Sequence, residues 1–510
     1  MVQQNRTCLM SPEQPRPADS APRQKAAASF DKLQRALVIG AGVSGRAATR
    51  LLREASVAVT VLEANDDHHG LADIDALGAE VAIGDTIARD QWARYDVVVA
   101  SPGVPEHAPA LVDALAAGAP VWSEPELAWR RSPRVVLGIT GTNGKTTTTE
   151  MLTSMLRADG RDVVACGNIG VPLSEAVIEY APSTVLVAEL SSFQLRFTST
   201  LRVRVGVLLN LAEDHLDWHG DMPAYAAAKA RLWRNQTPTD WAIANADDPA
   251  ALALMQEHAP GQQAIFSVDS LSRGADREPS GRSPAYGRVG HVLSHATRSE
   301  APRASVTRDA NGLTASDHQR RELLVAADVL DGRPVHVTAN LAAAATAAWL
   351  FGVSPAAIEA ASQHQGAGPH RGEEVTSARG VCWINNSKAT NPHAAIAALS
   401  SYPSAVWIAG GTAKGVDLSP LSQHLGNVRA AVLIGTSAPE LARICERTGV
   451  TAHVAASIED AVGIAAGLAV EGDAVVLAPA CASFDQFRDY RDRGERFSRA
   501  VNNLVANMAV

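Results

Sequence analysis

The stretch VVLGITGTNGKTTTTEML, residues 135–152, drives a β-branched run into a glycine turn and then into a threonine-rich helix start. ALVIGAGVSGRAA, residues 36–48, has already made the same move. Strands joined through helices pair in parallel, so a chain that repeats this move is committed to βαβ units. The rest of the sequence keeps the same grammar. RALVIG, VAVTVLEA and DVVVAS form a first set of strands; RVVLGITG, VLVAEL, VGVLLNL and WAIANADD a second; VCWINNS, AVWIAGG, AAVLIG and AVVLAPA a third. At about 150 residues per unit, a chain of 510 residues has room for three. The expected fold is α/β with three domains: a Rossmann-like N-terminal domain, a P-loop-type mononucleotide-binding central domain and a Rossmann-like C-terminal domain, with parallel sheets in all three.

Boundaries are expected near the polar WRRSPR, residues 129–134, and near HQGAGPHRGEE, residues 364–374. This divides the chain into a tail at 1–32, a first domain at 33–130, a central domain at 131–366 and a third at 367–510. The tail is rich in Pro, Gln, Ser and Ala without periodicity, so it is expected to be disordered, with folding starting near Leu33. Residues 268–325 are polar and rich in breakers; they read as an extended insertion with a weak hairpin around YGRVGHVLS.

Composition narrows the function classes. A net charge of -9, from 45 Lys plus Arg against 54 Asp plus Glu and with no long basic run, gives a nucleic acid no electrostatic footing. No apolar run is long enough to cross a membrane and the N-terminus lacks the apolar core of a signal peptide, so a cytoplasmic protein without membrane insertion is expected. The five cysteines, Cys8, Cys166, Cys382, Cys445 and Cys481, form no CxxC and read as buried thiols in a reducing compartment.

In the first turn Gly40, Gly42 and Gly45 make G-x-G-x-x-G directly after a strand, and Glu63 closes the next strand. The glycines only let backbone N–H groups approach a diphosphate at a helix N-terminus. A nicotinamide or flavin dinucleotide, another diphosphate ligand such as a UDP-sugar, or a tight turn with no ligand all satisfy them. Glu63 reads equally as a ribose contact or a solvated strand end. In the second turn the strict phosphate-loop pattern asks for glycine where Ile139 stands. Gly138, Gly141, Gly144, Lys145 and Thr146 nevertheless supply bare backbone donors, a cation for β/γ oxygens and a hydroxyl suited to Mg2+.

GITGTNGKTTT closely resembles the ATP loop of the Mur ligases and their relative folylpolyglutamate synthase. Matching segments follow in order: CGNIGVPL, AELSSFQL, LLNLAEDHLDWHG, YAAAKARLW, GPHRGEE, NNSKATNPHAA, IAGGTAKG and APACASFDQFRDYRDRGERF. The combination of ELSSFQL, SKATN and PACASFDQF resembles the branch of that family that adds D-glutamate. The resemblance implies an ATP-dependent amide ligase that joins D-glutamate to UDP-N-acetylmuramoyl-L-alanine through an acyl phosphate, in peptidoglycan precursor synthesis. It implies no partner beyond these small molecules, and a monomer.

It also implies roles. Gly141, Thr142, Asn143, Gly144, Lys145, Thr146 and Thr147 would cradle ATP, with Asn340, Arg371 and Asn386 around the nucleotide. Thr146 and Glu189 would hold Mg2+; His215 and Lys229, the latter as a carbamylated lysine, would serve a second metal, and Lys145, His215 and Lys229 would be catalytic. Gly42, Ser44, Glu63, Ser101, Pro102, Gly103, Asn168, Ser191 and Gln194 are expected on the nucleotide-sugar side. Lys388, Thr390, Lys414, Ser483 and Phe484 are expected around the incoming glutamate, two lysines suiting a dicarboxylate.

Two positions depart from the family pattern. Asn386 stands where the family usually has Asp against the ATP ribose, and Val337 replaces the first Asn of its HNxxN segment. These departures leave a non-catalytic paralogue open as a reading. So are a related ligase with another acceptor and, from the first turn alone, an NAD-dependent oxidoreductase.

Overall fold

The computed structural model describes residues 29–268, 302–363 and 368–508. Three sheets follow one another along the chain. The first contains β1 (Arg35–Ile39), β2 (Ala58–Glu63), β3 (Glu80–Ile83), β4 (Val97–Ala100) and β5 (Val121–Ser123), in the order β3-β2-β1-β4-β5. Every pairing in it is parallel. The order reverses between β1 and β4, which opens a crevice at their carboxyl ends where the first glycine turn leaves β1.

The central sheet contains β6 (Val136–Thr140), β7 (Val163–Gly167), β8 (Val185–Glu189), β9 (Val205–Leu208), β10 (Trp241–Asn245), β11 (Gln262–Ser267), β12 (Ala304–Asp309), β13 (Gly312–Asp317) and β14 (Arg321–Ala326). Its order is β14-β13-β12-β11-β10-β9-β6-β8-β7. The third contains β15 (Glu373–Ala378), β16 (Val381–Asn385), β17 (Ala405–Gly410), β18 (Val428–Ile434), β19 (Thr451–Val454) and β20 (Ala474–Leu477), in the order β15-β16-β20-β17-β18-β19. Each sheet has a buried apolar cluster on both faces, which is why inner strands such as β4 and β17 read as unbroken apolar runs.

Parallel pairing in all three sheets is too simple. β13 pairs antiparallel with β12 and β14, and β15 antiparallel with β16. β14 and β15 are sheet edges, β12 and β13 lead out to the first of them, and tight turns replace helical crossovers between the antiparallel strands. The region read as an extended insertion therefore supplies three strands of the central sheet, with Val306, Leu313 and Val325 in its core. The hairpin expected at YGRVGHVLS lies outside the described residues, as does most of the tail. The short 3-10 helix Phe30–Lys32 precedes Leu33, and Phe30 is buried beneath Arg131, whose guanidinium sits 5.5 Å from the ring centre.

The helix Glu124–Arg131 joins the first two sheets, and two buried glutamates near its start behave oppositely. Burial alone would raise the pKa of Glu126. Its carboxylate accepts from the backbone N–H groups of Ser199, Thr200 and Leu201 and pairs with Arg130 at 2.7 Å, and these donors hold it below the usual range. Glu124 accepts one backbone bond, from Ser174, while its Oε2 has no partner among the described residues, and burial pushes it up to about 7.

The folded state therefore binds a proton at Glu124 that an unfolded carboxyl, with a pKa near 4.5, has released. Its stabilising effect is present below about pH 4.5 and is lost as pH rises through about 7. Glu124→Gln keeps an acceptor for Ser174 and carries no charge. The variant should melt a few degrees above the parent at pH 8, corresponding to roughly 1–3 kcal/mol, and the gap should close by pH 5. Thermal denaturation at the two pH values checks this; equal gaps at both would contradict it.

Candidate active site

The phosphate loop runs from the end of β6 into the helix Lys145–Ala158. Gly144 caps that helix at φ 83°, a left-handed value, and a Cβ there would come within 2.2 Å of Asn340 Oδ1. Only glycine meets both demands. Asn340 arrives on the buried, alanine-rich helix Val335–Leu350, whose small side chains let it pack closely beside the loop's own helix. The loop is held from behind. Thr142 Oγ1 donates to Ala212 O at 3.1 Å and accepts from Ala212 N–H, and Asn143 N–H donates to Asn210 Oδ1 at 2.8 Å.

Two lysines converge on the loop's carbonyls. Lys145 Nζ donates to Gly141 O and Thr142 O, each at 2.9 Å, and Lys229 Nζ donates to Gly141 O at 2.8 Å. Lys229 is 2% exposed, 4.5 Å from the centre of the Tyr225 ring. Burial lowers its pKa well below the ordinary lysine value; the Lys145 charge lowers it further, and Asp214 and Glu189 only partly offset this. The pKa of Lys145 falls for the same first reason, against the pull of Glu189 and Asp214.

Glu189 ends β8 beside the loop. Thr146 Oγ1 donates to its Oε2 at 2.7 Å and Asn168 Nδ2 to its Oε1 at 2.9 Å. The hydroxyl and the carboxylate thus adjoin at the helix N-terminus, and their oxygens are the hard donors Mg2+ prefers. No group of three or more His, Cys, Asp or Glu side chains converges as a metal site among the described residues. An ion here would take its remaining ligands from water and phosphate, as Mg2+ commonly does. His215, at φ 55°, stands at the start of the short helix Leu216–His219, its ring 4.7 Å from Phe193 and its Nε2 3.6 Å from Asp214. Burial lowers its pKa, Asp214 raises it, and Lys145, Lys229 and Lys414 lower it again.

A cleft of about 860 Å3 lies between the central and third domains. It gathers Thr142 to Thr147, Asn168, Glu189, Ser191, His215, Asn340, Arg371, Asn386, Lys388 and Thr390, which the sequence singled out, and also Val337. Gly141 lies in the loop's backbone, and Lys229 sits behind the loop. Lys414, at φ 52°, is stacked on Phe484 with its Nζ 4.6 Å from the ring centre; Phe484 is 64% exposed and Ser483 is buried, and the three stand apart from the cleft lining. Gln194 is buried too. Its side-chain oxygen accepts from Ser191 N–H at 3.0 Å, closing a capping box on the helix Ser192–Arg196.

Gly42, Ser44, Glu63, Ser101, Pro102 and Gly103 lie at the carboxyl end of the first sheet, outside that cleft. Glu63 Oε2 accepts from Ala41 N–H at 2.7 Å, so the carboxylate occupies one backbone donor of the turn, and Ser101 Oγ donates to Gly40 O at 3.3 Å. A Cβ on Gly45 would lie 1.9 Å from Gly40 O, which explains the third glycine as a close helix-to-strand contact. The central domain grips this end directly. Trp218 Nε1 donates to Val104 O at 3.0 Å and Arg196 pairs with Glu106 at 2.5 Å, so the loop carrying His215 is tied to the loop carrying Ser101.

Sequence reasoning passed over several of these groups. Asp214 and Asn391 became visible only through their cross-domain bonds. Tyr490 lies under Lys388, with Nζ 4.1 Å from the ring centre. Arg493, fully buried, donates to Ser387 Oγ and to the carbonyls of Ser387, Gly410 and Cys481, tying the loops after β16, β17 and β20 together. The nearest signal was the string RDYRDRGERF, in which one arginine cannot be told from the next.

Three family models match in sequence order: the Mur ligase MurD-like N-terminal domain over residues 34–123, the Mur ligase middle domain over 139–278, and the Mur ligase glutamate ligase domain over 370–481. The chain is 44% identical over 472 residues to a UDP-N-acetylmuramoylalanine--D-glutamate ligase of Frankia casuarinae, covering 91% of this chain and 93% of the relative. It is 39% identical to the protein of that name from Thermobifida fusca, covering 92% and 99%. Among solved structures, a MurF ligase from Thermotoga maritima in complex with ADP superposes with a TM-score of 0.54 at 14% identity, covering 96% of this chain and 100% of that one. A pseudomurein peptide ligase type C from Methanothermus fervidus gives 0.54 at 17%, covering 92% and 100%. The fold is shared with these distant structures, and at 44% identity across nearly its whole length with a curated relative the chain belongs to the Mur ligase family.

Proposed function

We propose that the protein is an ATP-dependent ligase that joins D-glutamate to UDP-N-acetylmuramoyl-L-alanine in cytoplasmic peptidoglycan precursor synthesis. The observation that carries this reading is the pair of lysines, Lys145 of the phosphate loop and Lys388 of the third domain, that line one cleft. Arg371 lines the cleft with them, and Glu189 and Asp214 are the carboxylates whose charges act on both lysines. Burial depresses the pKa of Lys145 and Lys388, so the protein holds cations where they are costly until a polyanion arrives. A triphosphate beside a carboxylate is such a polyanion.

In the reaction an oxygen of the substrate carboxylate attacks the γ-phosphorus and ADP leaves, giving an acyl phosphate. The neutral amine of glutamate then attacks the acyl carbon, the C–O bond to phosphate breaks, and one amine proton is lost as the amide forms. The loop N–H groups and Lys145 bind and orient the phosphates. Thr146 and Glu189 would hold Mg2+, which when bound neutralises the β- and γ-phosphate oxygens. His215, with a carbamate on Lys229, would hold a second ion. Lys388 and Lys414 would bind the two carboxylates of glutamate, and the first-domain turn with Ser101 to Gly103 would take the UDP end. Asn168 would fix the orientation of Glu189 through their 2.9 Å bond.

The direct test is phosphate release with ATP, Mg2+ and UDP-N-acetylmuramoyl-L-alanine, comparing D-glutamate, L-glutamate and no amino acid. Stimulation by D-glutamate alone is expected. Phosphate release indifferent to the amino acid would refute the reading.

Asn386 lines the cleft and is 8% exposed, where it offers the ribose hydroxyls one acceptor oxygen. Asn386→Asp should lower the KM for ATP about threefold to tenfold, the worth of one better hydrogen bond. A KM equal to or higher than that of the parent would contradict the ribose assignment.

A further inference from the structure

Asn391, between the segment carrying Lys388 and Thr390 and the helix Pro392–Leu399, is bonded across the boundary between the third and central domains. It is 3% exposed and all its amide capacity is used. On its own side Oδ1 accepts from Ala394 N–H at 2.9 Å, capping the helix. On the other side Nδ2 donates to Asn143 Oδ1 and to Asp214 Oδ2, both at 3.1 Å. Asn143 answers with its own Nδ2, 3.3 Å from Asn391 Oδ1 and 3.0 Å from His393 Nδ1. Asp214 Oδ1 in turn accepts from His215 N–H at 3.0 Å.

A helix cap needs only an acceptor, which Ser, Thr or Asp supplies as well as Asn. The two N–H donors exceed that need, and both go to the central domain, one to the phosphate loop and one to the acid next to His215. Aspartate there would set a second carboxylate against Asp214. The residue type is therefore accounted for by the crossing bonds. We propose that Asn391 is a positioning residue: it registers the third domain against the phosphate loop, so that glutamate held by Lys388 reaches the acyl carbon only when the Asn391 bonds to Asn143 and Asp214 are made.

The inference rests on the ligase reading above, and its test separates the two. Asn391→Ser keeps the cap and loses the crossing bonds; Asn391→Asp keeps the cap and the shape but repels Asp214. For both, the KM for D-glutamate should rise about tenfold or more, while the KM for ATP stays within about threefold and the melting temperature within about 2 °C of the parent. Phosphate release should also exceed amide formation. Without a delivered amine, water attacks the acyl carbon, returning the carboxylate and releasing phosphate. A residue that only caps the helix predicts parental kinetics in the serine variant.

If the parent enzyme shows no D-glutamate-dependent phosphate release, the ligase reading falls. If the parent is coupled and Asn391→Ser has a glutamate KM within about twofold of it, or raises the KM values for ATP and glutamate alike, the inference falls alone. Should the serine variant lose stability, the aspartate variant carries the same comparison.

Discussion

Lys145→Met is expected to slow phosphate release by about a thousandfold or more, with Mg2+ and both other substrates saturating. Methionine is unbranched and apolar, so it occupies the same buried channel without strain and removes only the charge and its donors. Lys145 now bonds the carbonyls of Gly141 and Thr142, and the same ammonium must turn toward the β- and γ-phosphate oxygens as the triphosphate enters. Its depressed pKa means that the protein tolerates the bare cation poorly, and the phosphates relieve that cost by pairing with it. The advantage is greatest where negative charge accumulates during transfer, so kcat should fall far more than ADP affinity. Lys145→Arg should not rescue it, because a planar fork cannot take the place of a compact ammonium inside the loop. Single-turnover phosphate release beside equilibrium ADP binding separates the two quantities. Parallel losses in both would show that Lys145 serves ground-state binding instead.

The loop was legible because its chemistry is local. Gly141, Gly144, Lys145 and Thr146 lie within one turn of a strand end, and glycine, cation and hydroxyl each have a reason that needs no distant partner. Glu189 and Lys388 were legible for a related cause, since each follows a β-branched run and parallel sheets bring such ends to one side. Asp214, Asn391 and Tyr490 are the opposite case. Asp214 and Asn391 are ordinary loop residues until another domain supplies their partner, Asn391 lying 248 positions from Asn143 and 177 from Asp214, while Tyr490 opens a helix and meets Lys388 from a distant segment of the same domain. The strands β12 to β15 escaped for want of an apolar run, and the charge on Glu124 could not be read because nothing in SEPELA tells a buried carboxyl from the well-bonded one two residues on. Periodicity reports which face of an element is apolar. It does not report which polar residue that face will shut in.

Lys229 offers the sharpest separation between its look in sequence and its setting in the fold, and its replacement carries the other large expected effect. In YAAAKARLW it reads as a solvated helix lysine; in the structure it is 2% exposed, faces the Tyr225 ring and bonds Gly141 O, with no carboxylate in direct contact among the described residues. A buried cation with so little compensation is costly, whereas a neutral amine there is a nucleophile, and its reaction with CO2 gives a carbamate and a proton. The carbamate is an anion with two oxygens, able to do beside His215 what an ammonium cannot. Lys229→Ala is therefore expected to lose about a hundredfold to a thousandfold in kcat, while ADP binding at the loop persists. The parent should lose activity in CO2-depleted buffer and regain it with bicarbonate, and carbon-13-labelled bicarbonate should give a carbamate signal that the alanine variant lacks. Lys229→Gln fills the volume left by alanine, so a glutamine variant as inactive as the alanine one assigns the loss to chemistry and not to a cavity. An alanine variant within about threefold of the parent, indifferent to bicarbonate, would leave Lys229 as a tether for the phosphate loop and nothing more.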